Sequence, residues 1–418
     1  MNLDTRKVAI ITMGCRVNQS ESSVIEGTLK QHGIEMVGVE DSPDICIINT
    51  CTVTGRSDAN SRQLIRKAAR TGAEIIVTGC YSELNRETVL RMPGVSSVYP
   101  SDRKEKIIDH ILRVGDVGIS YNLYNRARPY LKVQDGCNFN CSYCAVPHAR
   151  GRSRSISVTH AVSRARQIEE NGYKEIVLTG IHLGSYGHDL MQKVNLAYLL
   201  REILKGTDSV RIRLSSIEIN EIDDELLDLL SEPRICDHLH LPLQHGSDRI
   251  LKLMNRNYTA ERYTEKINRI AGLDRHIAIG TDIIAGFPTE TDSDHQATIA
   301  LADELPFAYM HIFPFSVRSG TAAAGLKPQL QNNLISSRAA GLRSLASKKK
   351  SEYISKQTGR ILDIIMEEDG GRDGIIGTSS NYLKIPVQAC NLKRGSSVFV
   401  KLLGVSENAV QSILINCP

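Results

Sequence analysis

Gly136-Cys137-Asn138-Phe139-Asn140-Cys141-Ser142-Tyr143-Cys144 places three thiols at C-x3-C-x2-C spacing. Gly and Asn beside and between the cysteines leave the backbone free to turn all three sulfurs inward, which core packing has no reason to require. Such a trio holds three corners of an iron–sulfur cube and leaves the fourth iron open for chemistry. It also suits zinc if a fourth ligand is supplied, and His148 is near enough in sequence to be one.

The chain around this loop has 418 residues, enough for two or three domains. Its net charge of +4 is mild, so contact with nucleic acid has to come from local patches. Ten cysteines in a chain of this length are too dilute for a disulfide scaffold. Asp4, Arg6 and Lys7 stand where a signal peptide would be entering its apolar core, and no apolar run is long enough to span a bilayer. A cytoplasmic protein with reduced thiols and no membrane partner is expected, which favours metal over disulfide.

Upstream of the loop, short apolar runs at Val8 to Met13, Asp44 to Asn49 and Glu74 to Thr78 alternate with helical patterns at Gln19 to His32 and Ser61 to Ala69. That alternation predicts a parallel, Rossmann-like α/β sheet. Each of the three strands runs into a cysteine: Cys15, Cys51 and Cys80. Ligands gather at the carboxyl ends of strands in such sheets, so residues far apart in sequence are delivered to one rim as a second three-thiolate site. Cys46, inside Ile45-Cys46-Ile47-Ile48, is expected to be core, and Cys236, Cys390 and Cys417 lack ligand spacing. Arg62, Arg66 and Arg70 recur every four residues just beyond Cys51, forming one basic stripe that suits either a solvated helix face or an RNA phosphate track.

Tyr143, immediately before the third cysteine of the loop, completes a pattern that resembles the radical S-adenosylmethionine superfamily, in which the open iron is chelated by the amino and carboxylate groups of the methionine end. With Gly14-Cys15-Arg16-Val17-Asn18, Asn49-Thr50-Cys51 and Thr78-Gly79-Cys80 upstream, the chain resembles the methylthiotransferase family, in which the extra triad holds a second 4Fe-4S cluster. The resemblance implies two 4Fe-4S clusters, one held by Cys137, Cys141 and Cys144 and the other by Cys15, Cys51 and Cys80. It implies two uses of S-adenosylmethionine: methyl donation to sulfur at the second cluster, and reductive cleavage at the first to a 5′-deoxyadenosyl radical. An electron donor such as a flavodoxin or ferredoxin system is implied as well.

Downstream, the linker Tyr121 to Tyr130 leads into runs at Glu175 to Leu178, Val210 to Leu214, His238 to Leu243, Ile277 to Ile284 and Tyr309 to Pro314, with helical stretches such as Val158 to Asn171 and Asp223 to Leu230. A partial (β/α) barrel with working residues at strand C-termini fits this spacing. The resemblance places cofactor contacts at these strand ends, making Tyr143, Gly180, Ser216, Glu218 and Gln244 the candidate S-adenosylmethionine-binding residues. Arg150, Arg152 and Arg154 either brace the loop or touch nucleic acid, with bracing expected of Arg150. A long helix, Leu334 to Ser355, leads out through Lys348-Lys349-Lys350, and five short runs after Gly359 predict a small all-β barrel. Its position resembles the TRAM-type RNA-binding module, although positive and negative side chains balance from Glu352 onward. The expected division is 1–120, 126–345 and 352–418: a methylthiotransferase domain with the auxiliary cluster, a radical S-adenosylmethionine domain and a TRAM-like barrel.

Asn49-Thr50-Cys51-Thr52-Val53-Thr54 followed by the Arg-rich helix looks most like the branch acting on N6-threonylcarbamoyladenosine, 3′ of the tRNA anticodon. The anticodon stem-loop is then the partner, and C2 of adenine, which carries no acidic proton, receives CH3S after hydrogen-atom abstraction. Threonylcarbamoyl carries a carboxylate that an arginine clamps bidentately, whereas isopentenyl, the substituent of the neighbouring branch, needs an apolar slot. His245 resembles instead the branch that modifies a ribosomal protein, and Thr289 stands where Gly is common. A non-catalytic metal-bearing RNA-binding protein is the alternative of another class.

Overall fold

The computed structural model describes residues 6–113, 126–273, 275–367, 375–387, 392–406 and 409–416. Its first unit is a parallel sheet of β1 (Lys7–Thr12), β2 (Glu35–Met36), β3 (Ile45–Thr50), β4 (Glu74–Gly79) and β5 (Val95–Val98), in the order β2-β1-β3-β4-β5. β3 is buried along its whole length, as a central strand covered by helices on both faces must be. Cys46 is fully buried there, and burial pushes its thiol up to about 11. Helices Arg16–Gln31 and Gly55–Ala69 follow β1 and β3, and the second is capped by Thr54, whose hydroxyl accepts from Ser57 N at 3.1 Å.

The second unit begins at β6 (Tyr130–Lys132), so Tyr130 is already strand, and Tyr121 to Asn125 of the expected linker lie outside the described residues. β7 (Gln134–Asp135) and β8 (Arg154–Ser155) pair antiparallel and tie off the cysteine loop at its base. β9 (Glu175–Thr179), β10 (Arg211–Leu214), β11 (His238–His240), β12 (Ala278–Ala285) and β13 (Phe307–Pro314) continue a curved parallel sheet. Isolated bridges Ile212–Ile235 and Ser216–His240 join its two halves into the order β6-β9-β10-β11-β12-β13. Alternate strand residues such as Ile176, Leu178, Ile212, Leu239 and Ile279 pack against the outer helices, each burial contributing about 1.5–3 kcal/mol. The intervening positions face inward and are polar: Glu175, Arg213, His238, His240, Asp282, Tyr309 and His311 bond to one another inside a partial barrel.

Helix Asn332–Lys356 runs unbroken through residues 345–352 and packs on β12 and β13 before delivering the chain to the third unit. There β14 (Ile361–Met366), β15 (Ile375–Ser379), β16 (Lys384–Val387), β17 (Ser397–Ser406) and β18 (Ala409–Asn416) form an antiparallel sheet ordered β16-β15-β14-β17-β18. Ser412 on β18 donates to the Pro386 carbonyl on β16 at 2.9 Å, so the edges approach and the barrel nearly closes. Gly374, Cys390 and Cys417 lie outside the described residues.

This last barrel docks on the lower end of the second unit. Glu175, fully buried, is paired with Arg128 at 3.0 Å, Arg211 at 2.7 Å and Arg213 at 2.6 Å. Burial alone would raise its carboxyl, but three guanidiniums hold it well below the ordinary range. Arg211 reaches on to Asp363 at 2.6 Å, and Arg213 donates to the carbonyls of Ser379 and Ser380, both at 2.9 Å.

Candidate functional site

A cavity of about 450 Å3 opens where the carboxyl ends of the first sheet meet those of the partial barrel. All six predicted ligands line it: Cys15, Cys51 and Cys80 from one side, Cys137, Cys141 and Cys144 from the other. Backbone geometry explains how each trio gets there. Gly14 has φ +92°, and a Cβ on it would lie 2.7 Å from Cys51 Sγ, so only glycine lets the first and second strand ends approach. Gly136 has φ +71°, and a Cβ there would run into the Arg152 carbonyl across the base of the loop.

The spread of the sulfurs discriminates between metals. A single zinc at about 2.3 Å from each sulfur needs them within about 4 Å of one another. Among the described residues, the set of three metal-ligating side chains whose ligand atoms all lie within 4.8 Å is His240, Asp282 and His311, and neither cysteine trio is that tight. Within each trio the thiols still feel one another's charge, Cys51 those of Cys15 and Cys80, and Cys144 those of Cys137 and Cys141. His148 is exposed and absent from the lining, which removes the fourth ligand of the zinc reading. Three thiolates on each wall of one cavity are the donor set of a cube with one open iron. Burial raises the Cys51 thiol and pushes that of Cys144 up to about 12, so metal has to displace their protons.

Charged donors surround both trios. Arg150 Nε donates to Cys80 Sγ at 3.3 Å, and Arg256 Nη1 donates to Cys141 Sγ at 3.3 Å. His182 Nδ1 lies 3.6 Å from Cys137 Sγ while its Nε2 pairs with Glu221 at 2.5 Å. Burial lowers the His182 pKa, but Cys137 and Glu221 outweigh that and raise it to about 10. Such contacts to ligand sulfur are where a protein tunes a cluster. The expected bracing role of Arg150 is what the structure displays: 3% exposed, it bonds Glu21 at 2.6 Å, Asp135 at 3.1 Å and Asn18, joining the first unit to the second.

The candidate cofactor contacts Tyr143, Gly180, Ser216, Glu218 and Gln244 also border the cavity. Tyr143 packs against the apolar cluster that contains Ile250, Met254, Ile284 and Phe287, and burial raises its hydroxyl well above the ordinary range. Glu218 is paired with Arg256. Gln244 takes φ +65° between strand ends, its N–H donating to Asp282 O at 2.8 Å. The arginine stripe is less uniform. Arg66 and Arg70 are exposed, whereas Arg62 donates to Tyr81 Oη at 3.3 Å, and none of the three borders the cavity. His245 is buried, 3.1 Å from Thr298 Oγ1 and 3.7 Å from Glu290, and packs behind the cavity wall that its neighbour Gln244 lines.

Sequence reading passed over the inward face of the barrel. His240 Nε2 and His311 Nδ1 both meet Asp282 Oδ1, at 3.0 and 3.1 Å, and His240 Nδ1 meets Tyr309 Oη at 3.0 Å. Burial would raise the Asp282 carboxyl, but the imidazoles of His240 and His311 hold it well below the usual range. The alternations Arg211-Ile212-Arg213 and His238-Leu239-His240 were the signal, because a parallel strand with polar residues on one face lines a polar lumen.

Fold and site together define a radical S-adenosylmethionine protein, and residues 131–302 match the Radical SAM superfamily. Residues 7–99 match a second family, described as uncharacterized protein family UPF0004. The radical S-adenosylmethionine methyltransferase TsrM from Kitasatospora setae is similar in fold, with a TM-score of 0.56 at 15% identity over 77% of this chain and 75% of that one. A threonylcarbamoyladenosine tRNA methylthiotransferase of Aquifex aeolicus is 40% identical over 87% of this chain and 93% of its own length. One from Bacillus subtilis is 36% identical over 95% and 93%. The chain belongs to the threonylcarbamoyladenosine tRNA methylthiotransferase family.

Proposed function

We infer that the chain is a tRNA methylthiotransferase that replaces the hydrogen on C2 of N6-threonylcarbamoyladenosine, beside the anticodon, with a methylthio group. The observation that carries this is one cavity lined by two separate cysteine trios, in a chain of that family. Two 4Fe-4S clusters and S-adenosylmethionine, when bound, supply reductive radical generation and methyl transfer to sulfur. Cys137, Cys141 and Cys144 would hold one cluster, Cys15, Cys51 and Cys80 the other. Gly180, Ser216, Glu218, Gln244 and Tyr143 would seat S-adenosylmethionine, with Arg256 fixing the Glu218 carboxylate. His182, Arg256 and Arg150 place positive donors on ligand sulfurs.

The substrate would enter as an anticodon stem-loop, with Arg66 and Arg70 offering phosphate contacts and the C-terminal barrel acting as the TRAM-like RNA grip. A flavodoxin or ferredoxin system would deliver electrons, and the cytoplasm, where tRNA is modified, would be the site of action. No helix among the described residues is long and apolar enough to cross a membrane. Anaerobic reconstitution tests the reading. About eight irons per chain and 5′-deoxyadenosine release on reduction are expected, with loss of the thiomethyl mark from threonylcarbamoyladenosine in tRNA of a deletion strain. Bound zinc with no reductive cleavage would return the chain to the non-catalytic RNA-binding class.

A further inference from the structure

A methylthiotransferase for this substrate has to recognise a carboxylate on the N6 substituent, and a carboxylate entering a partly buried cavity needs a cation whose charge is not already spent. The cavity wall contains two arginines, Arg16 and Arg256. Arg256 is committed to Glu218 and Cys141. Asp282, the other wall carboxylate, is committed to His240 and His311. Arg16 has no acidic partner among the described residues. Its Nη2 donates to Tyr382 Oη at 3.1 Å, and its guanidinium lies 5.8 Å from the centre of that ring.

Tyr382 belongs to the C-terminal barrel, yet its ring lies inside the second unit, 4.3 Å from His238 and 5.5 Å from Tyr309. Arg16 follows Cys15 directly, but its guanidinium meets Tyr382, whose ring lies against His238 and Tyr309, so it reaches toward the lumen. This cation, without an acidic partner among the described residues, therefore stands beside the strand-end trio on the wall of the shared cavity and reaches toward the polar lumen.

Resting on the functional reading above, we propose that Arg16, seated by Tyr382, is the group that clamps the carboxylate of the threonylcarbamoyl substituent and so sets substrate specificity. A guanidinium offers parallel N–H donors to both carboxylate oxygens, and Tyr382 orients the fork without consuming its charge. The neutral isopentenyl substituent gains nothing from such a group.

Two anticodon stem-loop RNAs test it: one carrying N6-threonylcarbamoyladenosine, the other the same nucleoside with its carboxylate converted to a primary amide. Affinity and kcat/KM of the reconstituted enzyme are measured for both, and the carboxylate-to-amide ratio is the readout, because damage to folding or cluster loading lowers both values together. Arg16→Gln is expected to collapse the ratio by about 10- to 100-fold, the worth of a hydrogen-bonded charge contact. Arg16→Lys should restore part of it, and Tyr382→Phe should reduce it several-fold. An Arg16→Gln enzyme that keeps the wild-type ratio overturns the proposal. Wild-type enzyme that treats both RNAs alike overturns it too while leaving the function standing, and wild-type enzyme that thiomethylates neither RNA removes the functional reading and the proposal with it.

Discussion

The two cysteine trios differ in what holds them in place. Cys137, Cys141 and Cys144 sit within eight residues of one another, on a loop whose base is closed by the β7–β8 pair, so their geometry is largely a property of that loop. Cys15, Cys51 and Cys80 come from three strand ends and depend on the register of the whole first sheet. Beneath the second trio lies a buried charge cluster, where Glu21 takes Arg150, Lys104 and Lys132 as partners and Asp135 takes Arg150 and Lys132. Three cations face two carboxylates there, with the more exposed Arg154 a fourth at 3.6 Å from Asp135, and Cys80 accepts from the Arg150 guanidinium. A local site tolerates distant change; an assembled one inherits every weakness of its scaffold.

The largest effect that would separate the trios comes from their own sulfurs. Cys141→Ala is expected to end both 5′-deoxyadenosine release and methylthiolation. Cys51→Ala should keep the first and lose the second, with iron near four per chain instead of eight. Full turnover by the Cys51 variant would remove that residue from the ligand set and leave the strand-end trio without a role.

Glu21→Gln tests whether the assembled trio depends on its foundation. Removing one member of a buried ion pair strands its partner at a cost of about 3–5 kcal/mol; here Lys104 loses its one acidic partner among the described residues, while Arg150 keeps Asp135. The variant should lose thermal stability and the iron of the strand-end trio, while the loop trio still supports S-adenosylmethionine cleavage. Equal iron loss from both trios would mean that the charge cluster serves the whole interface.

The same cluster sets an acid limit. Burial raises the carboxyls of Glu21 and Asp135, but Arg150 and the neighbouring lysines outweigh it and hold both below their ordinary values. A depressed folded-state pKa means that the stabilisation is complete above the unfolded values of 4.5 and 3.8 and is lost as pH falls through the folded ones. The difference in melting temperature between wild type and Glu21→Gln should stay level from about pH 8 to 5 and narrow below about pH 4. A difference that already shrinks near neutrality would point to another titrating group.

How much of this was legible beforehand follows the same division. The loop trio is read directly, because three cysteines and their turn residues are contiguous. The strand-end trio is legible through topology: parallel strands put Cys15, Cys51 and Cys80 on one rim, and the predicted strands match β1, β3 and β4 to within a residue or two. What could not be read is pairing over distance. Arg150 was expected to brace the loop, but its partner Glu21 lies 129 residues away. Arg16 and Tyr382 are 366 residues apart, and nothing in either neighbourhood announces the other. His245 misled in the opposite sense, because a lone histidine at a strand end carries no sign of whether it faces the cavity or the packing behind it.

Thr289→Gly is the smallest test and the control, since this residue lies off the cavity wall that both trios share. Thr289 holds φ +67°, a left-handed conformation that a β-branched side chain adopts at a cost of roughly 1–2 kcal/mol. Glycine removes that strain but gives up the hydroxyl that accepts from Arg249 Nη1 at 3.2 Å, and its freer unfolded chain costs about 0.5–1 kcal/mol. The Arg249 bond to the Thr289 carbonyl, 2.7 Å, survives because it involves only backbone on that side. With the lost hydrogen bond worth about 0.5–1 kcal/mol, the balance is close to zero, read as a melting temperature nearly unchanged, with iron content and the carboxylate-to-amide ratio unchanged. A fall in iron at either trio would show that strain at this turn is transmitted to the cavity, and would make the loop trio less local than its contiguous sequence implies.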